Sequence, residues 1–196
     1  LDPLSLIPAM AAVTTRLGFA ATFSTTYEPP FAFARRMSTL DLLTEGRVGW
    51  NIVTSYLPNA ARNFGLADEI EHDERYERAE EYLEVLYKLW EQSWDEDALA
   101  IDRENAVFTH PDRVHYINHK GRHHQVEGPH LVQPTRQRTP VLFQATGSTR
   151  GLKFAARHAE AVFIGGRTRE EIRQNIAQTR EQAALNLSLI HIPEPT

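Results

Sequence analysis

Four short apolar runs, each followed by a helical stretch, constrain this chain more than any other feature. They occupy residues 19–24, 48–53, 140–144 and 161–164 and show no alternation of polar and apolar positions. Runs of that kind suit strands buried on both faces, and strand–helix repetition is the pattern of parallel βα units. Right-handed crossovers then allow an open doubly wound sheet or a barrel. A complete (βα)8 barrel takes roughly 250 residues, so four units fill about half of one. Periodicity alone does not choose between the two closures.

The helical stretches are marked by their breakers. Residues 3–16 read as a helix that has stopped by Gly18, and Pro29-Pro30 starts another. Its apolar positions Phe31, Ala34, Met37, Leu40 and Leu43 (or Leu42) step by three and four until Gly46. After a loop over residues 55–72, Tyr76, Ala79, Leu83, Leu86 and Trp90 form one continuous stripe, with Asp73 as the expected N-cap. Residues 94–139 are rich in His, Pro and Gly and read as an insertion containing a β-hairpin around Lys120-Gly121. Helices are expected over 149–158 and 169–185, the last with Ile172, Ile176 and Ala183 on one side. The ten residues 187–196 break style, and Pro193 and Pro195 end any helix. They resemble the translation of a sequencing-library adapter, the alternative being a native linker. The expectation is one domain over 1–186 and a non-native tail.

Charge and composition remove several function classes. With 26 acidic against 21 basic residues the net charge is −5, which offers no clustered basic face for nucleic acid. No apolar stretch approaches the 18 or more residues of a membrane helix. The absence of cysteine removes disulfides, thiolate metal sites and cysteine nucleophiles, and fits a reducing cytoplasm. With neither an initiator Met nor a signal-peptide plan, the chain reads as an excerpt from a longer protein. Six of the nine histidines lie between His110 and His130, with His115, His119 and His123 spaced by four. The intervening Pro111, Gly121 and Gly128 argue against a helix that would gather them on a metal, so solvent-facing hairpin histidines are expected.

Candidate chemistry lies where parallel sheets place function, at the carboxyl ends of strands. The first run ends in Ala21-Thr22-Phe23-Ser24-Thr25-Thr26-Tyr27, dense in hydroxyls. The second, Trp50-Asn51-Ile52-Val53-Thr54-Ser55, carries an amide inside an apolar run. The third leads into Gln144-Ala145-Thr146-Gly147-Ser148-Thr149-Arg150-Gly151, a glycine turn at a helix start suited to a phosphate, or simply a Ser N-cap. His72 and Tyr76, at i and i+4, share a helix face directed to the same strand ends, although Tyr76 also begins the apolar stripe.

Taken together, Ala21 to Phe31, Gly49-Trp50-Asn51-Ile52-Val53-Thr54-Ser55 and His72-Asp73-Glu74-Arg75-Tyr76 closely resemble the nitrilotriacetate and dibenzothiophene-sulfone monooxygenase group of the luciferase-like superfamily. His119-Lys120-Gly121, Gln144-Ala145 and Ala159 to Phe163 extend the resemblance to about Asn186. It implies part of a luciferase-like (βα)8 TIM barrel with a long insertion. It also implies an enzyme that takes reduced FMN from a separate NAD(P)H:flavin reductase. With O2, that enzyme hydroxylates or oxidatively cleaves a small organosulfur, aminopolycarboxylate or alkane-like substrate. The full-length parent is expected to be a cytoplasmic homo-oligomer. The flavin contacts of the group fall on Thr22, Asn51, His72, Tyr76 and Ser148, with His72 and Tyr76 closest to the chemistry. The group's phosphate loop has glycine straight after Gln-Ala, whereas Thr146 stands there in this chain. An acidic residue used near the flavin falls before Leu1. A non-catalytic truncated chain and a deazaflavin-dependent oxidoreductase of the same superfamily are the alternatives.

Overall fold

The computed structural model describes residues 1–187, so the tail expected to be foreign lies almost wholly outside the described residues. The chain opens with α1 (Pro3–Ala12), β1 (Phe19–Ser24), α2 (Pro30–Thr44), β2 (Val48–Val53), a short α3 (Pro58–Asn63) and α4 (His72–Tyr87). The insertion holds two small hairpins, β3 (Leu99–Asp102) with β4 (Val107–Thr109) and β5 (His119–Lys120) with β6 (Gln125–Val126). It is followed by β7 (Val141–Ala145), α5 (Thr149–His158), β8 (Ala161–Phe163) and α6 (Arg169–Leu187).

Sheet order decides what periodicity left open. The four-stranded sheet runs β1-β2-β7-β8 with every neighbour parallel. A doubly wound sheet reverses its order at a switch point. Here each new strand joins the same edge, which sends every crossover helix back over one face. The helices accordingly touch in sequence, α1 on α2, α2 on α4, α4 on α5 and α5 on α6. One sheet under one helical layer is the wall of a TIM barrel.

The strands do alternate, though in burial rather than in polarity. Phe19, Ala21, Val48, Trp50, Ile52, Leu142 and Gln144 are buried beneath the helices. Register places Ala20, Thr22, Asn51, Phe143 and Phe163 on the opposite face, which would line a barrel's interior. Continuous apolarity thus reflects a face that this segment does not itself cover, and Phe163 remains 57% exposed. Gly49 is required on that interior face, since a Cβ there would lie 2.9 Å from the Phe143 ring.

Aromatic side chains join the layers: Phe33 of α2 lies 4.6 Å from Trp50 of β2, and Tyr82 of α4 lies 6.1 Å from both. The whole expected α4 stripe is buried, and a π-turn at Lys88–Gln92 carries it on to Trp90. The N-cap differs from expectation. Glu71, not Asp73, accepts from the backbone N–H groups of Asp73 and Glu74, so the helix starts at His72. α2 ends as expected near Gly46, with Glu45 itself left-handed at φ 56°.

The insertion is tied down by buried polar anchors. Glu81 of α4 accepts from the backbone N–H groups of His123 and His124 and pairs with His119 Nε2 at 3.2 Å. Burial works to raise the Glu81 carboxyl, but these backbone and imidazole donors outweigh it and hold the pKa below the ordinary value. The hairpin at Lys120-Gly121 is therefore present, while its histidines are not uniformly solvent-facing. His119 is 6% exposed, and farther along the insertion His130 is 4% exposed against Ser38. An ionic anchor needs an imidazole donor inside, which composition does not reveal.

Candidate active site at the carboxyl ends of the strands

The ends of β1 and β2 are stitched together by hydroxyls. Thr26 Oγ1 donates to the Thr54 carbonyl at 2.6 Å, and Ser55 Oγ donates to Ser24 Oγ at 2.8 Å. Ser55 is left-handed at φ 58°, an uncommon conformation for a residue with a side chain, and it turns the chain from β2 toward α3. One strand along, β7 runs into Thr146-Gly147-Ser148. Ser148 caps α5, its Oγ accepting from Gly151 N–H at 3.0 Å. Helix geometry leaves the first N–H groups of α5 without intrahelical acceptors, and the space where a Gly147 side chain would project is open.

A cavity of about 380 Å³ lies between these ends, lined by Val53 to Leu57, Ala60, His72, Arg75, Tyr76 and Gln144 to Ser148. It brings together three of the five residues singled out in the sequence. His72 and Tyr76 lie one above the other on α4, ring centroids 5.2 Å apart, and Tyr76 meets Phe154 of α5 edge-on at 5.6 Å. His72 Nδ1 sits 2.7 Å from Asp73 Oδ1, which directs the ring through its neighbour. The Tyr76 hydroxyl reaches the backbone of α5: a Cβ on Gly151 would lie 2.6 Å from it and would overlap the Thr146 hydroxyl. Tyr76 and Ser148 therefore flank the same helix N-terminus.

Thr22 and Asn51 form a second group. They are register partners on the interior face, and Asn51 Nδ2 donates to Thr22 Oγ1 at 3.0 Å. The Asn51 amide oxygen is buried without a partner, as are Gln144 Oε1 and Arg75 Nε beside the cavity. Unsatisfied buried polar atoms are costly, about 1–3 kcal/mol each, and two of these, Gln144 Oε1 and Arg75 Nε, belong to residues that line the cavity. Neither Thr22 nor Asn51 lines the cavity itself.

Arg75 is the residue that sequence reasoning passed over. Its side chain is 8% exposed and reaches Glu69 through Nη1 at 2.7 Å, leaving Nε unpaired. The signal available was its i+3 spacing from His72. Arg150, expected near the phosphate loop, does not line the cavity; its charge instead acts on Glu80. A larger groove of about 1090 Å³ runs along the Glu77, Glu80, Glu81 and Glu84 face of α4, and its carboxylates are taken up by ion pairs with neighbouring Arg, Lys and His. Among the described residues no group of three or more His, Asp or Glu is arranged to hold a metal ion, and no helix is long and apolar enough to cross a membrane.

The family model described as luciferase-like monooxygenase matches residues 1–187. The long-chain alkane monooxygenase of Geobacillus thermodenitrificans is 57% identical over 182 residues, covering 93% of this chain and 41% of that protein. The nitrilotriacetate monooxygenase component A of Aminobacter aminovorans is 42% identical over 168 residues, covering 86% of this chain and 37% of its own. A solved riboflavin lyase, crystallised with modified FMN and riboflavin, superposes with a TM-score of 0.89 at 40% identity, over 94% of this chain and 41% of that one. The chain thus spans about two fifths of the length of the curated relatives it matches.

Proposed function

The chain belongs to the luciferase-like monooxygenase family, and from that premise we propose that residues 1–186 form the central part of one barrel domain of a reduced-FMN-dependent monooxygenase. The observation that carries this reading is the convergence of an open glycine turn, the Ser148-capped helix α5, Arg75, His72 and Tyr76 on one cavity at the strand ends. Such an arrangement fits an anionic group held by backbone N–H donors and a buried guanidinium.

Each side chain then has a distinct task. Ser148, the Gly147 backbone and Arg75 hold the phosphate. Thr22 and Asn51 hydrogen-bond the polar edge of the isoalloxazine, the partnerless Asn51 oxygen being the acceptor. His72 and Tyr76 hold the ribityl-phosphate side, and Tyr76 packs on Phe154 and Gly151 at that end of the site. When bound, reduced FMN supplies the two electrons by which one atom of O2 leaves as water while the other enters the substrate. The resemblance to this monooxygenase group implies a separate source of reduced flavin. An NAD(P)H:flavin reductase is therefore the proposed partner, as the name "component A" implies for the Aminobacter relative.

Anaerobic titration of reduced FMN into the protein encoded by the full reading frame tests this, with circular dichroism as the folding control. A hydrogen bond to a charged group is worth about 1.5–3 kcal/mol, so His72→Ala weakens binding by roughly ten- to a hundredfold. An unchanged Kd in both His72→Ala and Tyr76→Phe returns the two residues to helix packing.

A further inference from the structure

The chain enters α4 through an acidic run, Asp68-Glu69-Ile70-Glu71-His72-Asp73-Glu74-Arg75-Tyr76. His72, Arg75 and Tyr76 line the cavity, and the carboxylates around them have separate partners. Glu71 is taken up by the helix cap, where it accepts from the N–H groups of Asp73 and Glu74. Asp73 Oδ1 stands 2.7 Å from His72 Nδ1. Glu69 Oε2 accepts from Arg75 Nη1, also at 2.7 Å, and among the described residues this is the one ion pair that Arg75 makes.

The nitrogen that Glu69 takes decides what it does. A guanidinium grips a phosphate through two parallel N–H groups, and one such fork is the edge shared by Nε and Nη2. Nη1 stands on the Cδ side of the group, away from that edge. By accepting from Nη1, Glu69 blocks the other fork, Nη1 with Nη2, and leaves Nε buried without a partner. Charge points the same way. A cation whose side chain is only 8% exposed is costly to hold unpaired before a ligand arrives. Glu69 supplies the counter-charge, yet it does not line the cavity and so does not stand where a phosphate would.

We infer that Glu69 is a positioning residue for the phosphate end of the flavin, holding Arg75 by Nη1 so that the Nε edge meets the phosphate. The inference rests on the flavin reading above, in which Arg75 takes that phosphate.

The test compares reduced FMN with reduced riboflavin, which lacks the phosphate. Both are titrated anaerobically into the protein from the full reading frame, with circular dichroism as the folding control. In Glu69→Ala the FMN Kd rises about tenfold while the riboflavin Kd stays within about twofold. Glu69→Gln keeps an acceptor for Nη1 and holds FMN within about threefold of the unmodified protein. Should Glu69→Ala fail to fold, Glu69→Asp draws the carboxylate back by one methylene, and again FMN binding alone weakens. An FMN Kd that is unchanged or lower in these shortened variants overturns the inference, because Glu69 then does nothing for the phosphate or competes with it. Equal weakening of both flavins also overturns it and leaves Glu69 a packing role, and so does a Glu69→Gln as weak as Glu69→Ala. Arg75→Ala separates the two levels. If it abolishes the preference for FMN over riboflavin while the Glu69 variants keep it, the role of Glu69 falls and the phosphate site stands. An unchanged preference in Arg75→Ala, or failure of the unmodified protein to bind FMN, overturns the underlying reading and this inference with it.

Discussion

Gly151→Ala sets two physical effects against each other. In an ordinary helix, alanine is favoured over glycine by about 0.8–1 kcal/mol. Gly151 lies in the first turn of α5, and its added Cβ would stand 2.6 Å from the Tyr76 hydroxyl while overlapping that of Thr146. The Thr146 hydroxyl can rotate away, but its Cβ stays 2.9 Å from the added methyl. Tyr76 is wedged between His72 and Phe154 and 6% exposed, so its ring must be displaced or α5 must shift. Overpacking of a filled site costs about 1–3 kcal/mol, which leaves a net loss of roughly 0–2 kcal/mol after the helix gain. Urea denaturation is expected to show a midpoint at or below that of the unmodified protein, with reduced-FMN affinity down about tenfold. The double change Thr146→Ala with Gly151→Ala should recover only the share due to Thr146. A variant stabilised by the full helix increment, with unaltered flavin affinity, would refute the packing of Tyr76 on the α5 backbone.

Two further outcomes follow from burial and from the sheet. Burial alone lowers the His130 pKa from 6.5 to about 4, so the unfolded chain takes up that proton first. Stability is therefore fully present above about pH 6.5 and falls by about 3 kcal/mol as pH drops toward 4, and urea midpoints across this range should flatten in His130→Gln. Among the described strands, β1 and β8 each present an unpaired edge, and the face carrying Phe143 and Phe163 is uncovered. The 196-residue chain expressed alone should thus self-associate or melt without cooperativity, whereas a sharp transition from a soluble monomer would count against that view.

Local pattern was enough for the elements themselves. The four parallel strands stand within one or two residues of the apolar runs, and the α4 stripe from Tyr76 to Trp90 is buried throughout. These features are periodic, and periodicity is written in neighbouring residues. The hairpin at Lys120-Gly121 and the Ser148 cap were legible for the same reason. Barrel against open sheet was not, because the choice depends on which edge each strand joins, a relation between segments as distant in sequence as Gly49 and Val141. Arg75 went unread, and the hairpin histidines were misread, because burial against Glu69 and Glu81 is set by elements that meet only after folding. Thr22 and Asn51 could each be marked as polar in an apolar run, but their pairing across β1 and β2 follows from strand register. The sequence determined which side chains stand at the strand ends. Only packing decided which of them share a cavity, since the N–H groups of α5, the Tyr76 hydroxyl and the Arg75 guanidinium come from separate elements held together by one buried aromatic core.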